Sequence, residues 1–314
     1  MSIQLVDTLL NEFRQTEKGT DPQLLKFEGV GNNDVYNITA AFLQGDTPII
    51  AGRVEARDSE HSKVMFFEEK AGAWTVKADA PVFELQDPFF TKINGELVLG
   101  GVEIYYLQAG SDALGWRTVF YKGADIYTLE KIFVGPKGMK DLRLVQLANK
   151  EIGVITRPQG EKGGRGQIGF AVVSDLSQLS TQVIEEAPLL AQFTAEEWGG
   201  ANEAHILSNG LVGILGHIAK FDDQGDRHYY PMVFALDAKD GANLYSKMTI
   251  IGERANFVDT QSKRPDLYDV VFSGGLVRNG DGTATLYAGI SDAVAQTLTI
   301  KDPFIKFEQG GLDA

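Results

Sequence analysis

Residues 85–107 read LQDPFFTKINGELVLGGVEIYYL. An acidic residue and a proline, Asp87-Pro88, open an apolar strand. Asn94-Gly95 supplies a tight turn, a second apolar strand follows, and WRTVFYKG (116–123) closes the unit. The same unit recurs four more times. VYNITAAF, TPIIAGRVEA and KVMFFEE form the first, DLRLVQL, EIGVITRP and QIGFAVVS the third, EAHILS, GLVGILGHIAKF and YYPMVFALDA the fourth, and DVVFSGGLVR, ATLYAGISDA and AQTLTI the fifth. The openers are Asn33-Asp34, Asp87, Asp141, Asn202-Glu203 and Asp269. The steps between Asn33, Asp87, Asp141, Glu203 and Asp269 are 54, 54, 62 and 66 residues, each enough for one four-stranded blade. A blade cannot bury both of its faces alone, so repeated blades imply a closed ring. The expected fold is all-β: a five-bladed β-propeller with a short N-terminal helix, one domain over 1–314. The openers then start the innermost strands and converge on the central channel.

Composition narrows the function classes. The 314 residues are 43% hydrophobic and 23% charged, as in soluble globular proteins. A net charge of −14 argues against nucleic acid, whose phosphate backbone needs clustered Lys and Arg. It leaves room for a phosphate substrate, because one local basic pocket suffices. With no cysteine, disulfides, zinc thiolates and thiol nucleophiles are excluded. The N-terminus MSIQLVDTLLNEFRQ lacks the basic and apolar regions of a signal peptide, and no apolar run approaches the ~20 residues of a membrane span. The expected location is the cytoplasm, with no membrane partner.

Ile3, Val6, Leu9, Leu10 and Phe13 follow helical spacing. They predict a short amphipathic helix over 3–14, within an N-terminal helical extension, 1–25, that covers the ring's exterior or an edge strand or serves a partner or homo-oligomer interface. The polar loop PQGEKGGRGQ, 158–167, is read either as a solvated hairpin loop or as a lid carrying Arg165 over the channel. It lacks the Gly-Lys-Ser/Thr ending of a phosphate loop, and GVGNND is not set before a helix as a dinucleotide fingerprint would be. No cofactor is called for.

Several residues offer chemistry. Asp87, desolvated at a strand start, suits general acid work; the plain alternative is an Asp-Pro turn. Arg53, Glu55 and Arg57 share one face of a strand, which makes either a sugar- or phosphate-binding wall or an exposed salt-bridged strand. Lys140 and Asp141 mark the third opener, with Arg143 two residues on and Arg157 closing the next strand. Asn202, Glu203 and His205 mark the fourth, and His217 ends the strand that follows. Asp292 lies near the end of the second strand of the fifth unit. Trp198, Tyr229 and Tyr230 are sugar-stacking faces or core. No dense ligand spacing supports a metal site, and no serine-nucleophile elbow is present. Carboxylates therefore point to glycosyl transfer.

Several of these stretches also resemble a known family. DVVFSGGLVRNGDGTATLYAGISDA (269–293), LQDPFF, GRVEA, and GMKDLRLVQL followed by ITRP resemble the blades of the β-mannoside phosphorylases, five-bladed propellers of glycoside hydrolase family 130. GVGNNDVYNITA, TRPQG, GGRGQIGF, WGGANEAH and KRPDLYDVVFSGGLVR are more similar still to a sister group, the mannosyltransferase/phosphorylases of β-1,2-mannan metabolism. Bacterial members of that group are often catalogued only as a domain of unknown function. The similarity spans roughly 28–305. It implies an inverting β-mannoside phosphorylase that takes a carbohydrate and inorganic phosphate and releases mannose 1-phosphate. Asp87 would be the general acid, acting through a sugar hydroxyl. Arg53, Asp141 and Asp292 would hold the mannosyl ring, and Lys140, Arg157 and His217 would bind phosphate. Asn33, Asp34, Asn202, His205 and Asp269 are further expected sugar contacts. Glu203 departs from the pattern, because a carboxylate repels the anion. Facing the channel, it would instead activate water and make the protein an inverting hydrolase paired with Asp87. A non-catalytic glycan-binding propeller is the third reading.

Overall fold

The computed structural model describes residues 3–108, 112–239 and 243–310. Among them the strands form five separate sheets set around a channel. Blade 1 runs outward from Asp34–Tyr36 through Thr47–Glu55, Ser62–Lys70 and Ala73–Val76. Phe42–Gln44 continues its inner line, and Phe27–Glu28 is added in parallel outside. Blade 2 holds Gln86–Ile93, Glu96–Tyr106, Leu114–Gly123 and Glu130–Val134. Blade 3 has Arg143–Gln146, Ile152–Thr156 and Gly169–Val173, with the short helix Thr181–Glu186 further along the chain. Blade 4 has Trp198–Ile206, Val212–Phe221 and Arg227–Asp237, edged by Asn243–Leu244 and Thr249–Ile250. Blade 5 has Val271–Arg278, Thr283–Ile290 and Val294–Lys301.

The outermost strand of blade 5 comes from the start of the chain. Thr20–Leu24 pairs antiparallel with Val294–Lys301, so the two ends of the propeller close the ring. The helix expected over 3–14 covers Val6–Arg14, while the rest of the extension over 1–25 is corrected: the chain re-enters the sheet at Thr20, six residues after the helix ends. Val6, Leu9, Leu10 and Phe13 are buried against residues of blades 3 and 4. Each large side chain so buried is worth ~1.5–3 kcal/mol. Ile3, the fifth residue of the stripe, stays exposed.

Five apolar clusters fill the seams. One lies between blades 1 and 2 around Phe66 and Leu99, one between 2 and 3 around Phe120 and Leu144, and one between 3 and 4 around Phe170 and Ile214. The fourth lies between 4 and 5 around Leu215 and Leu286, and the fifth backs blade 1 around Ile38 and Phe67, with Ala295 of blade 5. This is how a sheet that is apolar on both faces becomes soluble.

Each inner strand is irregular at its channel position. Asn37, Asp87 and Asp141 take positive φ, at 44°, 46° and 60°. The pairing register slips across Asp87-Pro88, at Asn202, and at Ser273-Gly274. A bulge re-aims a side chain that regular pleating would send into the sheet. Asn and Asp tolerate the left-handed region better than other side chains. The five residues that converge are therefore Asn37, Asp87, Asp141, Asn202 and Ser273, all buried. In blades 1 and 5 they lie four positions beyond the predicted Asn33 and Asp269.

Three glycines, Gly274, Gly275 and Gly289, let blade 5 approach blade 1 closely. A Cβ at Gly289 would collide with the side chain of Asn37 and sit 2.7 Å from its backbone nitrogen. We expect Gly289→Ala to cost ~1–3 kcal/mol of stability through overpacking. It should also lower kcat, because Asn37 is displaced from Asp87. Urea unfolding and turnover measured on one preparation check both.

Candidate active site

Asp87 sits at the centre of the opener cluster. Its Oδ1 accepts from Asn37 Nδ2 at 2.8 Å and from Arg53 Nη1 at 3.1 Å. Its Oδ2 has no partner among the described residues. Arg53 is pinned in turn. Its Nε and Nη2 donate to Glu55 Oε2 at 3.1 and 2.6 Å, its Nε donates to Ser62 Oγ at 2.9 Å, and its guanidinium lies 4.8 Å from the centre of the Tyr36 ring. Glu55 also accepts from Tyr36 Oη at 2.7 Å, from Ser62 Oγ and from Lys263 Nζ. Burial alone would raise the pKa of Glu55, but Arg53 and these donors hold it below the usual carboxylate range. Asp292, in the turn after Thr283–Ile290, keeps slight solvent contact yet is enclosed by protein. Desolvation, joined by the charge of Asp87, raises its pKa against the pull of Arg53, Lys263 and Lys140.

A second group adjoins the first. Asp141 Oδ2 lies 3.4 Å from Arg157 Nε, and its Oδ1 lies 3.8 Å from Arg143 Nη2. Burial pushes the Asp141 carboxyl up, but Arg157, Lys140 and Arg143 outweigh it and hold its pKa below the usual carboxylate value. Burial lowers Arg143 to about 10, opposed by Asp141 and Asp87. His217 is buried, stacks on Tyr229 at 5.3 Å, and has its pKa lowered to about 3 by desolvation. It is neutral at physiological pH.

Five cations (Arg53, Lys140, Arg143, Arg157, Lys263) thus face five carboxylates (Glu55, Glu60, Asp87, Asp141, Asp292), with Glu60 3.6 Å from Arg53 and 3.2 Å from Lys263, so charge is locally balanced on a chain of net charge −14. Asn37 Oδ1, Asp141 Oδ1, Arg157 Nη1 and one end of the Asn202 amide are buried with no hydrogen-bond partner among the described residues. Buried polar groups are almost always paired. Open acceptors beside an open guanidinium nitrogen around one channel describe a site for a polar, partly anionic ligand.

Not every predicted residue joins it. Asn33 is exposed and bonds to Val30 O. Asp34 pairs with Arg57, which lies beyond the end of the strand and off the face of Arg53. Glu203 accepts from His205 Nε2 at 2.8 Å and from the backbone N–H of Leu276 at 2.7 Å. Both lie further down the inner strands, where Ala40, Phe90, Glu203, His205 and Leu276 line a space of about 390 Å³ at the other end of the channel. That placement removes both from the Asp87 end. The physical reason is the bulge at Asn202, which aims Asn202 and not its neighbour at the cluster. Trp198 and Tyr230 are buried, and Tyr229 takes a hydrogen bond from Trp198 Nε1 at 3.0 Å while it backs His217. The glycine-rich loop is a largely exposed hairpin connection between the antiparallel strands Ile152–Thr156 and Gly169–Val173, with a helical turn at Gly160–Gly163. Gly166 packs on the Arg157 guanidinium, where a Cβ would meet Nη2 at 2.7 Å. Arg165 lies over Trp198 and Phe221, with Trp198 and Tyr229 between it and His217.

Asp269 also serves elsewhere. Its Oδ2 is 2.5 Å from His228 Nδ1 and accepts from Tyr230 Oη at 3.0 Å, and Asp222 pairs with His228 Nε2 at 3.2 Å. Burial lowers the pKa of His228, but the two carboxylates win and raise it. The stabilisation is therefore complete below the unfolded value of about 6.5 and is lost as pH rises through the folded pKa. Stability curves of wild type and His228→Asn should lie further apart at pH 6 than at pH 8.5. Urea titrations at both values decide this.

Lys263, Asn37 and Ser273 were not singled out from sequence. Lys263 reaches Glu55 from a loop 208 positions away, and Ser273 lies inside an apolar run.

With this geometry set out, comparison with other proteins is informative. A model of the family described as a protein of unknown function, DUF1861, matches residues 11–306. The chain is a DUF1861 protein. A mannose phosphorylase from Leishmania mexicana, solved with a phosphate ion, is similar to this DUF1861 protein with TM-score 0.87 and 34% identity, over 95% of this chain and 93% of that one. A GDP-Man-dependent mannosyltransferase from the same organism gives 0.85 and 31%, over 96% and 95%. Identity at this level over nearly whole chains places the DUF1861 protein in the five-bladed mannosyltransferase/phosphorylase family. A β-1,2-mannobiose phosphorylase from Listeria innocua, 13% identical over 96% of each chain with TM-score 0.64, shares the fold. No curated protein is similar enough to match.

Proposed function

We propose that this protein is an inverting β-mannoside phosphorylase acting on a β-1,2-linked mannoside. The observation that carries the reading is the pairing of a carboxylate with one open oxygen, Asp87, and a buried arginine with one open nitrogen, Arg157, in adjoining parts of one channel. In the reaction the bond from C1 to the glycosidic oxygen breaks and a bond from a phosphate oxygen to C1 forms on the opposite face. The proton for the leaving oxygen comes from Asp87, relayed through a sugar hydroxyl. Arg53 and Asn37 hold Asp87 in place. Asp141 and Asp292, oriented by Arg157 and Arg53, accept from sugar hydroxyls. Lys140 and Arg157 supply charge to the phosphate, and their fixed donors act where charge shifts in the transition state. Asp292, with its raised pKa, can carry a proton and donate as well as accept.

Inversion of a β-mannoside by phosphate gives α-mannose 1-phosphate. Supplying that compound with free mannose should yield a β-mannobiose and release phosphate. Formation of the β-anomer of the sugar phosphate would contradict inversion. The GDP-Man-dependent relative motivates a second donor test: with GDP-mannose in place of mannose 1-phosphate, no transfer is expected. The hydrogen bonds of Glu203 to His205 and to Leu276 N–H favour this reading over a hydrolase with Glu203 as base.

A further inference from the structure

Across blades 4 and 5, His217, Asn202 and Ser273 stand in line, all buried. Ser273 Oγ lies 2.7 Å from Gly216 O and 3.2 Å from one amide terminus of Asn202. The same terminus lies 2.9 Å from His217 Nδ1. A hydroxyl has a single proton, and a backbone carbonyl can only accept. The Ser273 proton therefore goes to Gly216, and its oxygen can only accept from Asn202. With the amide oxygen turned toward Ser273, two oxygens would meet with no proton between them, and the amide nitrogen would be buried without a partner. With the nitrogen there, its two protons find two acceptors, Ser273 Oγ and His217 Nδ1, and the amide oxygen is released toward the site. Proton counting decides the orientation of the amide.

We infer that Ser273 and Asn202 fix His217 as the neutral tautomer protonated at Nε2, so that an uncharged N–H donor faces the channel. The ring agrees with this on every side. Tyr229 stacks on it at 5.3 Å, Phe272 lies 5.4 Å away at a 38° tilt, and Nε2 has no hydrogen-bond partner among the described residues. Burial and the nearby Arg157, Lys140 and Arg143 keep it uncharged, against the pull of Asp141. The use assigned to the donor, a hydrogen bond to a phosphate oxygen, rests on the phosphorylase reading; the tautomer does not. Ser273 and Asn202 are thus positioning residues. Phosphate binding would follow the ionisation of phosphate itself and show no imidazolium step near pH 6.5.

The test is ¹⁵N NMR of the whole protein labelled at its four histidines, with the His217 signals assigned by their absence in His217→Gln. The expected spectrum has an unprotonated Nδ1 and a protonated Nε2, unchanged between pH 5 and 8. In Ser273→Ala the amide is free to turn, both tautomers should appear, and the KM for phosphate should rise about 3- to 10-fold, one hydrogen bond's worth. His217→Gln, which can still present an N–H, should bind phosphate better than His217→Leu. A wild-type signal protonated at Nδ1, or a ring that titrates near neutrality, overturns the inference. If Ser273→Ala does not fold, the wild-type spectrum alone decides. The expected spectrum in a protein whose mannoside cleavage ignores phosphate would keep the tautomer and remove the phosphorylase reading.

Discussion

Asp87→Asn is expected to lower kcat for mannoside cleavage by about 10²–10⁴-fold, the contribution of a positioned proton donor, while the sugar still binds. Asparagine keeps the size of the side chain and an oxygen for Asn37 and Arg53. Arg53 also stays anchored by Glu55 and Ser62, so the wall survives. The negative charge of Asp87 helps to raise the pKa of Asp292, and its removal should let Asp292 ionise at lower pH. A leaving group that needs no protonation separates the roles. An aryl mannoside with an acidic phenol should suffer far less than mannobiose if Asp87 is the acid, and equally if it only shapes the pocket. Unchanged turnover of mannobiose would move the acid elsewhere.

The second large effect is expected at Arg157. It donates through Nε to Gly199 O at 2.8 Å, faces Asp141 at 3.4 Å, and leaves Nη1 open. Arg157→Ala should raise the KM for phosphate by about 10-fold to 100-fold, since one hydrogen bond to a charged group is worth ~1.5–3 kcal/mol and ~1.4 kcal/mol is tenfold. It also strips Asp141 of its strongest counter-charge. Removing one partner of a buried pair costs ~3–5 kcal/mol, here at the lower end because Lys140 and Arg143 remain. Arg157→Lys should recover much of the stability and less of the phosphate affinity, because an ammonium lacks the planar fork. Initial rates over a phosphate series, with melting temperatures, test both. An unchanged KM for phosphate would place the anion elsewhere.

The ring was legible because alternating apolar strands with Asn-Gly and Asp-Gly turns recur at near-blade spacing. Asp87 and Asp141 could be placed since an acidic residue at a strand start stands out from apolar flanks. Asn37 and Ser273 could not. The inner strand of blade 1 begins early, at Asp34, and breaks at Asn37, while Ser273 reaches the channel only through a bulge, which a period-2 pattern does not record. Arg53 and Glu55 followed from alternation along one strand, and Arg57 fell outside because the strand ends at Glu55. Thr20–Leu24, with its Asp and Pro, has no strand pattern of its own and is ordered by the edge it completes. Lys263 joins Glu55 by tertiary closure, which local sequence does not encode.

The most direct measurement is the rate of mannose release and of mannose 1-phosphate formation from β-1,2-mannobiose, with and without inorganic phosphate. Cleavage that requires phosphate and yields the sugar phosphate in step with mannose is the expected result. Equal release of free mannose in both tubes, with no sugar phosphate formed, would contradict it.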